Sequence, residues 1–443
     1  MRNPPIAVPA PRTRRPAAET PKPRVAGRPE ARGRKLTVTL ERERHAPDQT
    51  LLLSVVALTA IGILMVYSAS GIRAYVTQDD GFADVGPQLI WAVLGVTAMV
   101  VAMRIDYRFW RLASLPLFVV AVGLLALVLV PGIGIVIGGS ARWLKLGPLP
   151  AIHPAEFAKL ALIVYLAHWM AARGTRIGSV ASGTLPFLLI AGPVILLVLK
   201  EPDLGTTGVL TLTAFTIFFV AGANLWQFLL LIPAGIAAVG LVILSNPYQL
   251  ARVTTFLDPW SDAQGKGFHT IQGIFALALG GLMGEGLGQS RSAGGLYLPN
   301  AANDFIFAVI GEEFGLLGGV IVIALFVVVA YRGVRIALGA PDTFGGLMAI
   351  GITAWLAFQA FINIAVVVNL VPITGITLPF VSDGGSSLIV SFAAVGILLS
   401  ISRETHVRGT WNDADPHRRR WLRRSHPAGP GRRPIATRAA SGR

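Results

Sequence analysis

Residues 305 to 330 read FIFAVIGEEFGLLGGVIVIALFVVVA, and Glu312 and Glu313 are the only charged side chains in the run. At about 1.5 Å per residue a helix of this length exceeds the roughly 30 Å core of a bilayer, so the run predicts a membrane-spanning helix. Working outward, segments of the same kind fall near 50–69, 87–103, 112–131, 155–171, 184–199, 205–222, 225–244, 344–368 and 385–402. Composition agrees: of 443 residues 53% are hydrophobic and 14% charged, where a soluble domain carries about 25% charged. The expected fold class is an all-α polytopic membrane protein with ten transmembrane helices, and a soluble enzyme is excluded.

The formal net charge of +15 divides unevenly along the chain. Residues 1–47 hold 12 basic and 4 acidic side chains, and residues 403–443 hold 11 and 3. The stretch between them carries 15 basic and 16 acidic residues, a net −1. Both tails are rich in Pro, Arg, Ala and Gly, so 1–47 and 404–443 are expected to be disordered basic tails around a membrane domain at 48–403. An even number of crossings puts both tails on one side, which the positive-inside rule makes cytoplasmic. Arg104, Arg108, Arg111, Arg173, Arg176, Arg332 and Arg335 fall in short loops on that same side. The run from Arg418 to Arg424 suits nucleic acid or anionic lipid. A topology-fixing tail beside the anionic inner leaflet is the simpler reading, and no nucleic-acid partner is expected. The first apolar stretch begins near Leu51, too late for a cleaved secretory signal. Cysteine is absent, which removes disulfide and thiolate chemistry.

Between helices seven and eight, residues 245–303 form a long external loop, longer than an ordinary connection and therefore a candidate functional element. Its run from Gly267 to Gly288 (GFHTIQGIFALALGGLMGEGLG) is apolar enough to suggest an eleventh span. Seven glycines, His269 and Glu285 argue instead for a helix lying at or dipping into the outer face. The remaining external loops are 70–86, 132–153, 200–204 and 369–384. Asp203, Asp258, Asp262, Glu285, Asp304 and Asp383 all fall on this outer side, so an external active face is expected.

Ionisable groups at membrane depth are costly to desolvate, so each is a functional candidate. The fourth helix opens with His153, Pro154, Ala155, Glu156, Phe157, Ala158 and Lys159. Glu156 and Lys159 sit three apart and can form a structural ion pair. Alternatively, Lys159 with Arg142 and Lys145 of the preceding loop neutralises a phosphate. Asp203 begins the sixth helix, where the helix dipole alone would favour it. Asn303 or Asp304 can cap the eighth helix. On a helical wheel Glu312 lies within about 80° of Asp304, and three carboxylates on one membrane helix are hard to ascribe to packing. The last helix starts Ser382, Asp383, Gly384, Gly385, Ser386, Ser387. Glycines there let the backbone approach an anion such as a phosphate, and serine capping is the alternative. The chain contains neither GxxxxGK[ST] nor HExxH, so a nucleotide-driven pump and a zinc hydrolase are not expected.

Five motifs in order over about residues 50–405 resemble the SEDS family of bacterial cell-wall membrane glycosyltransferases (FtsW/RodA/SpoVE). They are ARWLKLGP at 141–148, HPAEFAK at 153–159, EPDLGT at 201–206, YLPNAANDFIFAVIGEEFG at 297–315 and ITLPFVSDGGSSL at 376–388. The long segment is more similar to the division branch than to the elongation branch. The resemblance implies polymerisation of lipid II into peptidoglycan strands on the outer face of the cytoplasmic membrane, with Asp304 as the catalytic aspartate. It also implies a class B penicillin-binding protein and other division proteins as partners, and a location at the division septum. Substrate contacts are expected from Arg142, Lys145, Glu156, Lys159, Asp203, Glu312, Gly384, Gly385, Ser386 and Ser387. No cofactor is required by the motifs, and a divalent cation, Mg or Mn, is left open. The chain departs from the family pattern at His153 and Glu201, each usually Gln, at Ala302, usually His, and at Asp383, usually Tyr. An elongation polymerase, a flippase for lipid-linked sugars and a scaffold for division proteins are the competing readings.

Overall fold

The computed structural model describes residues 45–78, 85–137, 140–145, 151–292, 298 and 301–404. The two basic tails, expected to be disordered, lie outside the described residues apart from their membrane-proximal ends. Among the described residues nine helices are long and apolar enough to cross a membrane. They are α1 (Gln49–Gln78), α2 (Val85–Arg104), α3 (Phe109–Val128), α4 (Pro154–Arg173), α5 (Leu185–Lys200, the main part of a 21-residue span Val180–Lys200), α7 (Leu225–Ser245), α10 (Ile306–Gly339), α11 (Thr343–Val367) and α12 (Gly385–Ser402). α6 (Leu204–Val220) is equally apolar but has only 17 residues. Counted by span, the segment expected at 205–222 is therefore the shortest of the ten.

Hydropathy also sorts these helices by depth. α4, α11 and α12 are the most enclosed, with about two-thirds of each span buried against neighbours, whereas no residue in the span window of α7 is buried. The enclosed helices carry the small residues and amides that helix contacts need, including Gly351, Gln359 and Asn363 on α11. α7 reads LWQFLLLIPAGIAAVGLVILS and offers lipid almost nothing polar. The two ends of the bundle meet: the His45 N–H donates to the Arg403 carbonyl at 3.0 Å, and the Asp48 N–H to Ser402 Oγ at 3.2 Å. Arg332 closes the same corner with a forked pair to Asp48 at 2.5–3.1 Å.

The loop at 132–153 holds a feature that hydropathy did not announce, an antiparallel hairpin of β1 (Gly134–Ile137) and β2 (Ser140–Leu144). The long loop at 245–303 is built of α8 (Pro247–Leu257) and α9 (Phe268–Gly280). At 13 residues, α9 is about 20 Å long, shorter than the bilayer core.

The turn after α9 gives the glycine run its purpose. α10 is broken at Gly315, whose backbone is left-handed (φ 64°, ψ −162°). The break frees main-chain groups, and the turn satisfies them. The Glu285 N–H donates to the Glu312 carbonyl at 2.9 Å and the Gly286 N–H to the Glu313 carbonyl at 3.0 Å. In return the Leu316 N–H donates to the Gly281 carbonyl at 2.9 Å. Irregular backbone at this depth persists only with its polar groups paired inside the protein. The approach is close enough that a Cβ on Gly315 would lie 2.5 Å from the Gly284 nitrogen.

Two expectations about α10 are corrected here. Its first helical residue is Ile306 and the N-cap position is Phe305, so neither Asn303 nor Asp304 caps it, and the helical-wheel relation between Asp304 and Glu312 does not apply. Packing accounts for Glu312 and for one of the two carboxylate oxygens of Glu313. Glu312, fully buried, accepts from Ser290 Oγ at 2.6 Å, the Arg291 N–H at 2.8 Å and the Ser292 N–H at 3.3 Å. Glu313 accepts from Ser68 Oγ of α1. Glu312 therefore holds the Ser290–Ser292 segment onto α10.

Candidate functional site

Asp304 sits in the turn that delivers the chain from the external loop into α10, and that turn is held from two sides. From α11, Asn363 Nδ2 donates to the Asp304 carbonyl and to the Ile376 carbonyl, each at 2.9 Å. From the loop before α12, Ser382 Oγ donates to the Asn303 carbonyl at 2.6 Å, and the Asp383 N–H donates to the Ala302 carbonyl at 2.9 Å. Ser382 Oγ in turn accepts from the Leu378 N–H at 2.8 Å. The side chain is left to face outward while its main chain is pinned. Such pre-organisation is what a reacting carboxylate requires.

The carboxyl of Asp304 opens onto a cavity of about 280 Å³ between α8, α9 and the turn. Arg252, Tyr248 and Phe256 of α8, Lys266, His269 of α9, and Ile373 stand around it. Burial pushes the Asp304 carboxyl up to about 6, opposed by its own backbone N–H and by the Arg252 guanidinium. Protein crowds the group, yet its surface remains partly accessible through the cavity. A carboxylate tuned toward neutrality in this way accepts a proton more readily than an ordinary aspartate. The wall opposite it is basic, which suits an anionic ligand. The lining supplies one carboxylate, and no group of three or more His, Cys, Asp or Glu able to hold a metal occurs among the described residues.

The other residues singled out from the sequence lie outside the cavity lining. Arg142, from β2, donates Nε to the Glu201 carbonyl at 3.0 Å and Nη2 to the Pro202 carbonyl at 2.6 Å. Gln249 of α8 donates to that same Pro202 carbonyl at 2.8 Å, so the hairpin, the α5–α6 turn and α8 share one junction. Lys145 is exposed at the end of β2. Lys159 is buried, paired with Glu156 at 2.8 Å, bonded to Gln359 Oε1 at 2.6 Å and set 5.1 Å from the centre of the Trp355 ring. These contacts correspond to the ion-pair reading, with the ammonium engaged inside the bundle. Gln359 also donates to the Thr377 carbonyl at 3.0 Å, so the pair braces the loop that holds the Asp304 turn.

Asp203 caps α6, accepting from the Thr206 N–H at 3.0 Å and Thr206 Oγ1 at 2.8 Å, with His153 Nε2 3.8 Å away. Burial lowers His153 below the usual histidine range, and the neighbouring Asp203 and Glu156 carboxylates oppose this. Beside them Glu201 is almost fully buried, and neither carboxylate oxygen has a hydrogen-bond partner among the described residues. Burial, reinforced by Asp203 and opposed by Arg142, pushes it up to about 8. At the start of α12, Gly385 lies against the Trp91 indole, where a Cβ would come within 2.4 Å of the ring, and Ser387 Oγ accepts from Thr377 Oγ1 at 3.2 Å. Gly384, Gly385 and Ser387 thus pack against α2 and the loop behind Asp304, and none of the four residues 384–387 lines the cavity in front of it.

Arg252 and Lys266 were not singled out from the sequence, and His269 was noted there only as a polar residue against an eleventh span. A signal for them exists, since the 245–303 loop is long enough to be a functional candidate and these are among its few basic side chains. What the sequence lacks is the fold of the loop, which turns α8 and α9 toward Asp304.

A bundle of apolar helices with a cavity that holds a pinned carboxylate and basic side chains defines a multi-pass membrane protein with a polar site at one end of the bundle. The chain belongs to the FtsW/RodA/SpoVE family, described as "Cell cycle protein", whose profile matches residues 49–407. It is 45% identical over 361 residues to the "Stage V sporulation protein E" of Bacillus subtilis, covering 82% of this chain and 98% of that one. It is 43% identical over 360 residues to the "Probable peptidoglycan glycosyltransferase FtsW" of Trichlorobacter lovleyi, covering 80% and 93%. Among solved structures, it is similar to a chain of "Structural coordination of polymerization and crosslinking by a peptidoglycan synthase complex", with a TM-score of 0.66, 32% identity and coverage of 81% and 98%. The Thermus thermophilus rod shape determining protein RodA gives a TM-score of 0.60 at 30% identity, covering 82% and 98%.

Proposed function

We propose that this protein is a peptidoglycan glycosyltransferase that polymerises lipid II into glycan strands at the outer face of the cytoplasmic membrane, in the service of septal cell-wall synthesis. The observation that carries the mechanism is Asp304, pinned through its main chain by Asn363 and Ser382 and opening onto the basic cavity. A sugar hydroxyl is a weak nucleophile, and a carboxylate within hydrogen-bond reach removes its proton as it attacks the anomeric carbon. The polyprenyl pyrophosphate is already an activated leaving group and needs its charge neutralised more than it needs an acid.

The membrane body serves this reaction by admitting two lipid chains from the side. In this reading α6 is the tenth crossing. Support comes from the meeting of His45 with Arg403, because an odd number of crossings would put the two ends on opposite faces. The basic tails then make that shared face cytoplasmic. A class B penicillin-binding protein is the expected partner, supported by likeness to a chain of a peptidoglycan synthase complex. Relatives named FtsW or stage V sporulation protein E at 43–45% identity favour a division-type role over elongation, for which the RodA structure stands at 30%.

The test is polymerisation of labelled lipid II by the purified protein with and without its transpeptidase partner. Asp304→Ala is expected to abolish it. Full activity in that variant would refute the mechanism, and lipid translocation that survives loss of Asp304 would favour a flippase instead.

A further inference from the structure

The cavity needs a group that receives the leaving pyrophosphate, and the residues expected for this from the sequence are engaged elsewhere. Arg142 is committed to two main-chain carbonyls, and Lys159 is buried against Glu156 and Gln359. Lys145 and Lys200 are exposed and neither lines the cavity. Arg252 is different. It lines the cavity with Asp304, and its guanidinium is fixed by Nη2 donating to the Tyr248 hydroxyl at 2.6 Å, with its carbon 4.6 Å from the centre of that ring. Its other terminal nitrogen, Nη1, is buried and has no hydrogen-bond partner among the described residues. A buried, unpaired guanidinium donor is unfavourable unless a ligand completes it, and the planar fork of arginine matches phosphate oxygens. Lys266 stands at the exposed rim of the same cavity and adds a second positive charge.

We propose that Arg252, aided by Lys266, binds the pyrophosphate of the polyprenyl-linked donor opposite Asp304. This assignment rests on the glycosyltransferase reading above for its substrate and extends it to a named pair of residues. In the transfer, the acceptor hydroxyl oxygen forms a bond to the anomeric carbon as the bond from that carbon to the phosphate oxygen breaks. The hydroxyl proton passes to Asp304. The electron pair of the broken bond leaves on polyprenyl pyrophosphate, whose added charge Arg252 neutralises. Arg252 and Asp304 so work on the two partners of one displacement, from opposite sides of a single cavity.

The probe is fluorescent undecaprenyl pyrophosphate, titrated against the purified full-length protein in detergent, with undecaprenyl monophosphate as the comparison. Loss of a charge-assisted contact corresponds to roughly ten- to hundredfold weaker binding, so Arg252→Gln should weaken the pyrophosphate by that factor and the monophosphate by less. Arg252→Lys should recover part of the loss, and Lys200→Gln should bind as the wild type does. In polymerisation assays Arg252→Gln should lower kcat by about a hundredfold, the scale of removing one preorganised donor from a developing charge. Unchanged pyrophosphate binding in both Arg252 variants, or equal loss in Lys200→Gln, overturns the assignment, as does absence of binding by the wild type. Unchanged binding in the Arg252 variants beside lipid II polymerisation by the wild type would sink this assignment alone. Arg252-dependent binding by a wild type that forms no glycan would sink the activity reading and leave the site standing.

Discussion

Glu201→Gln should stabilise this protein, by an amount that depends on pH. Glu201 follows α5, is 1% exposed, and has no hydrogen-bond partner for either carboxylate oxygen among the described residues. Arg142, the cation beside it, is bonded to the main-chain carbonyls of Glu201 and Pro202 instead of to the carboxylate. Burial therefore dominates and raises the group from 4.5 to about 8. Because the folded value lies above the unfolded one, the stability present below pH 4.5 is lost as the pH rises toward 8. The slope is about 1.4 kcal/mol per pH unit, and stability is level again above 8. That amounts to about 1 kcal/mol at pH 5, about 3 kcal/mol at pH 7 and about 5 kcal/mol above pH 9. The amide has nearly the same shape and no proton to lose. Thermal unfolding in detergent at pH 5, 7 and 9 should show the Gln variant ahead of the wild type by a margin that widens from pH 5 to pH 9. A margin that is constant with pH, or largest at pH 5, would refute a buried neutral carboxyl at this position.

Three further outcomes are expected. Asp304 works as a base only when ionised, and burial raises it to about 6, so polymerisation should fall tenfold per unit below pH 6 and level off above pH 7, as a pH–rate profile would reveal. Asn363→Ala removes both donations that pin the Asp304 and Ile376 carbonyls; it should leave the protein folded while lowering kcat by roughly a hundredfold, the scale of a 1 Å misplacement. Gly315→Ala puts a side chain on a left-handed residue and 2.5 Å from the Gly284 nitrogen, so the variant should lose more than about 2 kcal/mol and accumulate poorly in membranes, measured by its yield and unfolding midpoint.

The membrane spans were legible because hydropathy is a property of each segment taken alone. The 305–330 run and its companions identify helices before any contact between them is known. Tail charge could be read in the same way, segment by segment. Asp304 was legible only through the motif around it, since its own sequence position suited a helix cap as well as a base. Composition could not separate those two uses, and the structure shows the cap position occupied by Phe305.

Which charges face a ligand was decided by tertiary packing. Glu312 and Glu313 looked functional because a carboxylate in a membrane helix is costly, yet Ser290, the Arg291 and Ser292 N–H groups and Ser68 of α1 donate hydrogen bonds to them from elsewhere in the chain. Lys159 and Arg142 looked available until Gln359 and the Glu201 and Pro202 carbonyls came within hydrogen-bond distance from other helices. Arg252 drew no notice as one basic residue in a long loop, and the folding of α8 against the Asp304 turn gave it a position. By itself the sequence determined which segments enter the membrane and which family motifs they bear, because transfer from water to lipid depends on local composition. Only the tertiary structure decided which polar groups are satisfied and which remain open to a substrate, because hydrogen bonding acts over about 3 Å between residues far apart in the chain.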